Sequence, residues 1–184
     1  MTTHIETERL ILREWHAEDL PAFARINADP LIMEYFPRTL SEAQTKKLVK
    51  HFQDHFKAHG FGFYAVEVKD KSQFIGFCGI GYVSEKMPFA PAIEIAWRLD
   101  YAYWGKGYGT EAARAVLNHA FTDLNLKEIV AYSVEDNTRA IHMMNKLDQK
   151  KDAKGSFHRP GLAKDHPNGD YALYRLKKKD FTDS

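Results

Sequence analysis

The sequence predicts an α+β domain on a mixed, mostly antiparallel sheet. Two aromatic and β-branched runs, "FGFYAVEVKD" and "QFIGFCGIGYVS", are joined by the short polar "KDKS", the pattern of an antiparallel hairpin. Two longer segments, "SEAQTKKLVKHFQDHFKAHG" and "GTEAARAVLNHAFTDLN", place apolar residues at helical spacing. The order of patterns along the chain is strand, two helices, three strands, helix, strand, helix, then a strand or two, which is that of an α+β architecture.

Each element has a local reason. "RLILRE" alternates polar and apolar residues as a strand does, and "AEDLPAFARINAD" follows as a helix with Asp19 as its expected N-cap. Ser41 opens the next helix, Leu48, Val49, Phe52 and Phe56 form its apolar stripe, and Gly60 stops it. After the hairpin, "PAIEIAWRLD" reads as a strand leading into "YAYWGKGYG". The third helix sets Ala112, Val116, Ala120 and Leu124 on one side. "KEIVAYSVED" is a strand, "NTRAIHMMNKL" a short helix, "GSFHRPGLAKDHPNGD" a loop and "YALYRLKKK" the last strand.

At 184 residues the chain fits a single domain, 1–184, with enough length to bury a core. Lys and Arg number 26 against 25 Asp and Glu, so no field of one sign is available to hold a nucleic acid. The start "MTTHIETERL" does not read as a basic leader and no apolar run nears the roughly 20 residues of a bilayer span, so a cytoplasmic chain away from membranes is expected. The single cysteine, Cys78, lies in an apolar run as a small hydrophobe, and a disulfide framework is excluded. His51, His55 and His59 fall at i, i+4 and i+8 on one helix but read as a solvated row, so no metal site is expected.

The stretch "DYAYWGKGYGTEAA" puts three glycines directly before a helix. A helix start leaves backbone N–H groups without intrahelical partners and carries positive partial charge, and glycines let the preceding loop curl so that amides point at an anion. A phosphate or pyrophosphate is the natural guest, and an empty glycine turn is the alternative. The spacing fits neither a nucleoside-triphosphate loop nor a dinucleotide fingerprint, which would need glycine at the place of Thr110.

"EIAWRLDYAYWGKGYGTEAA", together with "TERLILRE" at the start, Asn137 in "NTRAIHMMNKL" and "YALYRL" near the end, resembles the GNAT N-acetyltransferase superfamily, in its RimJ/RimL-type branch. The resemblance implies a GNAT-type sheet of about seven strands flanked by about four helices and splayed between strands 4 and 5. It implies acetyl-coenzyme A as cosubstrate, with its pyrophosphate on the amides of Gly105, Lys106, Gly107, Tyr108, Gly109 and Thr110. Trp104 stands at the first place of the loop pattern. The pantetheine arm would pair with the backbone of Trp97, Arg98 and Leu99 and bond Asn137, whose other role is helix N-cap.

Acetyl transfer to an amine needs a neutral amine, an aligned thioester and a proton for the departing thiolate. Glu94, an acid inside an apolar strand, is the candidate base, its alternative role being a salt-bridged strand residue. Ser133, across the splay, is a candidate partner for the sulfur or a filler serine. Met144 replaces the tyrosine that many relatives use as acid, which leaves Ser133, Tyr171 or water. Asp148 and Gln149 replace a Gly-Phe pair, so the turn there is expected to differ. His166-Pro167 matches a pair that shapes the acceptor mouth in the branch, and His158 shares that loop. A protein N-terminal α-amine, with a pKa of about 7.7 to 8.0, is the easier acceptor than lysine at about 10.4. A polyamine, antibiotic or amino-acid analogue is the alternative acceptor, and a non-catalytic acyl-coenzyme A-binding module the alternative role. A monomer or homodimer is expected.

Overall fold

The computed structural model describes residues 4–182. Among them nine strands follow the hydrogen-bonded order β1-β2-β3-β4-β5-β6-β9-β7, with β8 on β9. The chain divides into two compact units, Met1–Gly81 with Ala96–Val116, and Tyr82–Ile95 with Leu117–Ser184.

The first unit holds β1 (Ile5–Glu6), β2 (Leu10–Arg13), α1 (Asp19–Ala28), α2 (Glu42–His59), β3 (Phe63–Val68), nearly all of β4 (Gln73–Tyr82), the second half of β5 (Ile93–Leu99) and the start of α3 (Tyr108–Thr122). The pairings β1/β2, β2/β3 and β3/β4 are antiparallel, so the expected hairpin is present. Trp15, Phe23, Phe52, Phe63, Phe74 and Phe77 form an aromatic core with Ile26, Val49 and Ala65. The Trp15 indole N–H donates to the Phe63 carbonyl at 2.8 Å, which satisfies its one polar atom in that apolar setting. Helix α2 begins and ends as its residues dictate. Ser41 and Gln44 form a reciprocal capping box, and Gly60 closes the helix at φ 76°.

Two expectations in this unit are corrected. Asp19 is not an N-cap but the first helical residue. Its carboxylate instead accepts from the His16 amide and pairs with Arg13, which also reaches Glu67. His55 is not part of a solvated row. It is buried, with Nδ1 facing the Phe61 carbonyl at 2.8 Å, so Nδ1 carries the proton, and burial holds its pKa below the usual value. His51 and His59 remain exposed.

The second unit holds the first half of β5, the end of α3, β6 (Glu128–Val134), α4 (Thr138–Lys146), β7 (Lys150–Lys151), β8 (Phe157–His158) and β9 (Asp170–Lys177). Strands β6 and β9 pair antiparallel from Glu128↔Lys177 to Val134↔Tyr171. Parallel β5 and β6 share one register pair, Glu94↔Val130, the sparse pairing expected of a splayed junction. Val83, Val130 and Leu173 form a core patch with Phe89 and Tyr132 against it. Short β8 lies inside the segment expected to be loop, where alternation over two residues is too brief to read.

The Asp148-Gln149 turn keeps the geometry that a glycine would take, since Asp148 sits at φ 60°. Asp is one of the few side chains that tolerates this left-handed conformation. Gln149 is buried, and neither its side-chain nitrogen nor its oxygen finds a hydrogen-bond partner among the described residues.

Candidate active site

Within the first unit the glycine loop reaches α3 at Tyr108. Gly105 and Gly107 adopt φ 71° and 82°, conformations that other L residues avoid. A Cβ on Gly105 would meet nothing within 4 Å, and one on Gly107 would meet only the Arg9 Nη2 at 3.3 Å. Open space therefore lies on the side of the loop to which a Cβ at Gly105 would point. Glu111 N donates to Gly107 O at 3.0 Å, so the amides of Tyr108, Gly109 and Thr110 stand ahead of that helical bond. This arrangement fits a phosphate group.

The loop is braced by residues that the sequence did not single out. Glu111 receives Thr7 Oγ1 at 2.6 Å, the Arg9 amide at 2.9 Å and Arg9 Nε at 2.6 Å. Arg9 Nη1 then donates to the Lys106 carbonyl at 3.0 Å, and the guanidinium lies 4.3 Å from the Tyr108 ring centroid. These contacts hold the Glu111 carboxyl pKa below its ordinary range despite partial burial. Lys106 turns its ammonium to the Ala102 carbonyl at 2.9 Å, and Trp104 Nε1 donates to the Leu99 carbonyl at 2.9 Å, tying the loop to the end of β5. Trp97 is half-buried on that strand. The Arg98 side chain donates to Asn27 Oδ1 at 2.6 Å and packs over Phe36, and burial lowers its pKa to about 10. Thr7 and Arg9 lie about a hundred positions from Glu111 in sequence, so only the opposite charges of Arg9 and Glu111 and their place in quoted segments could have hinted at the brace.

Within the second unit Glu94 is half-buried on β5. Burial pushes its pKa from the ordinary 4.5 up to about 7, against a Tyr132 hydrogen bond and the positive charge of Arg159, both of which favour the carboxylate. The Tyr132 hydroxyl is in turn held in its neutral, donating form by burial and by Glu94. Arg159 Nη1 donates to the Tyr171 hydroxyl at 2.9 Å. The rings of Tyr132, Phe157 and Tyr171 pack tilted and edge-on into one aromatic layer, with centroids 5.5 to 6.2 Å apart. Tyr132 and Arg159 were not anticipated. Tyr132 sat unremarked beside Ser133, and Arg159 lay in a segment without periodicity.

Asn137 caps α4 by accepting from the Ala140 amide at 3.2 Å, and its Nδ2 donates to Ser133 Oγ at 3.0 Å. The structure thus joins Asn137 to Ser133. Alternation on β6 sends Ser133 to the face opposite Tyr132, so the serine is not a neighbour of the Glu94 carboxyl. Met144 is 2% exposed and belongs to the core. A cleft of about 250 Å³ is lined by Glu135, Ser156, Phe157, His158, Asp170 and Tyr171. Nearby, His166 Nδ1 accepts from the Asn168 amide at 3.0 Å, which fixes the loop of His166-Pro167. Cys78 is fully buried, and its thiol pKa is pushed well above the ordinary value. Among the described residues no group of three or more His, Cys, Asp or Glu is placed to hold a metal, and no helix is long and apolar enough to cross a membrane.

The first unit carries a glycine cradle before a helix, and the second a carboxyl whose pKa burial raises toward neutrality. In comparison with known proteins, the family described as acetyltransferase (GNAT) domain matches residues 9–150. The chain belongs to the GNAT acetyltransferase family. It is 28% identical over 182 residues to the uncharacterized N-acetyltransferase p20 of Bacillus licheniformis, covering 95% of this chain and 96% of that one. The solved acetyltransferase (GNAT family) from Bacillus anthracis superimposes with a TM-score of 0.79 at 22% identity, over 96% of this chain and 99% of that one. Spermidine N-acetyltransferase from Vibrio cholerae, solved with CoA and spermine, gives a TM-score of 0.73 at 18% identity over 95% of this chain and 98% of that one.

Proposed function

We propose that the chain moves acetyl from acetyl-coenzyme A to a primary amine with Glu94 as general base, in the manner of the RimJ/RimL-type branch, and that a protein N-terminal α-amine is the leading acceptor. The observation that carries this is the Glu94 carboxyl at about 7 under Tyr132 and Arg159. At pH 7 about half of such a group is ionised and able to take a proton, the condition that general-base catalysis favours. Proton transfer from an α-ammonium of pKa about 7.7 to 8.0 then costs on the order of 1 kcal/mol, against roughly 4 to 5 for a lysine at about 10.4.

Acetyl-coenzyme A supplies the activated acetyl as a thioester. The chain supplies binding and proton movement. The amides from Gly105 to Thr110 receive the pyrophosphate, with Arg9 and Glu111 holding the loop in shape. The backbone of Trp97, Arg98 and Leu99 pairs with the arm, and Asn137 stands beside Ser133 to orient it. Glu94 takes the ammonium proton, the amine nitrogen forms its bond to the acetyl carbon, and the carbon–sulfur bond breaks. The second amine proton, released as the amide forms, passes through Ser133 or a water to the thiolate. Met144 takes no part from the core.

The assay is release of free thiol from acetyl-coenzyme A with N-terminal peptides, diamines and aminoglycosides. Turnover with peptides above the other amines is expected. Turnover only with small amines would move the acceptor to that class, and binding of coenzyme A without turnover of any amine would leave a binding module.

A further inference from the structure

The 250 Å³ cleft beside the Glu94 layer has a lining that the transfer chemistry does not use. We propose that it receives a second cationic group carried by the acceptor, so that the enzyme prefers amines bearing another positive charge a short chain away. This rests on the amine-acetylation reading of the same unit.

Charge is the first argument. Glu135 Oε1 accepts from the Ser156 hydroxyl at 3.0 Å, and Asp170 Oδ1 faces His158 Nδ1 at 3.0 Å. Among the described residues neither carboxylate meets a lysine or an arginine, and the second oxygen of each is unengaged. Ser156 contributes no charge, and His158, whose pKa the bonded Asp170 carboxylate raises above its usual value, offsets part of the Asp170 charge when protonated and leaves that of Glu135 unanswered. The His158 imidazole also bonds the Ala163 carbonyl through Nε2 at 3.0 Å, so the ring is fixed at the rim. Arg159 is turned to Tyr171 instead, bonding its hydroxyl and lying 5.5 Å from its ring centroid, so Phe157 is the aromatic face offered to a ligand. An anionic ligand would therefore face two carboxylates, a neutral one would leave them unmatched, and a cation would satisfy them.

Shape and ring chemistry point the same way. Phe157 and Tyr171 line the cleft with centroids 5.5 Å apart, and aromatic faces attract cations as well as aliphatic chains. The volume falls just below the roughly 300 Å³ at which pockets for drug-sized ligands begin, which suits a slim chain with a charged end. Both rings also touch Tyr132, whose hydroxyl bonds Glu94, so an acceptor in the cleft is separated from the base by one aromatic layer. Because the Asp170 side chain is 82% exposed, the preference is modest, about tenfold rather than a thousandfold.

The test uses acceptor pairs that differ only in charge. Guanidinobutylamine is compared with its neutral urea analogue, and an N-terminal peptide with arginine at its second position with the citrulline peptide. We expect kcat/KM to favour the cation by about tenfold, through KM, in whichever pair matches the natural acceptor. The double variant Glu135→Gln, Asp170→Asn should bring the ratio near one, and added salt should shrink it in the parent enzyme. The pair that shows the preference tells a diamine-like acceptor from a basic N-terminus. Titration of the same four compounds into the protein with coenzyme A bound reads the preference without turnover. Selective binding with no turnover would remove the acetylation reading and leave the cleft assignment standing. Equal affinities within both pairs would overturn it.

Discussion

Tyr132→Phe removes one hydroxyl and leaves the aromatic layer with Phe157 and Tyr171 otherwise filled. What is lost is the hydrogen bond that favours the ionised form of Glu94. A hydrogen bond to a charged group contributes about 1.5 to 3 kcal/mol, which corresponds to between about 1 and 2 pH units in the pKa of its acceptor. Glu94 should climb from about 7 toward the range of about 8 to 9. The assay is kcat/KM for an N-terminal peptide from pH 5 to 9. The amine's own ionisation is common to both enzymes, so the comparison isolates the enzyme group. The acid limb of the variant should lie about 1 to 2 units higher, with the activities converging at the alkaline end. Superimposed acid limbs in a folded variant would refute the coupling of Tyr132 to the base.

Gly107→Asp puts a side chain and a negative charge at a residue with φ 82°, and should weaken coenzyme A binding at least about tenfold by titration calorimetry. Glu111→Ala releases Thr7 and Arg9 from the loop and should weaken binding of coenzyme A while kcat at saturation changes little. Gln149→Leu replaces a buried amide without partners by an apolar group of similar size, and should raise stability by about 1 to 3 kcal/mol in urea unfolding. Because burial raises the Glu94 pKa from 4.5 to about 7, its contribution to stability is whole below about pH 4.5 and is lost as pH rises through 7. Glu94→Gln should therefore be more stable than the parent at pH 8, by at most about 3 kcal/mol, and show no such gain near pH 4.

Local chemistry was legible in the sequence where one residue type has one physical use. Ser41 with Gln44 could hardly do other than box a helix start, and Gly60 other than end it. The glycines at 105 and 107 announced positive φ before a helix, and Glu94 stood out because a carboxyl in an apolar strand is costly. Contacts between distant segments were not legible. The bracing of the glycine loop by Thr7 and Arg9, and the attachment of Arg159 to Tyr171, follow from strand order and leave no periodic trace. His55 misled because a helical row shows which residues share a face but not how far that face reaches into the core. Asp148 shows a limit of another kind, since Asp can adopt the conformation for which glycine is usually chosen and the residue type alone does not fix the φ.

The central claim is that the Glu94 carboxylate takes the amine's proton, and turnover of Glu94→Gln at pH 7 tests it most directly. One purified sample should be shown to keep its fold by circular dichroism and its affinity for acetyl-coenzyme A by titration. On that sample thiol release with the best acceptor should fall by about 10²-fold or more, and raising the pH toward 9 should recover part of the loss as more of the α-amine is already neutral. Turnover near that of the parent enzyme at pH 7, in a folded variant that binds the cofactor normally, would contradict it.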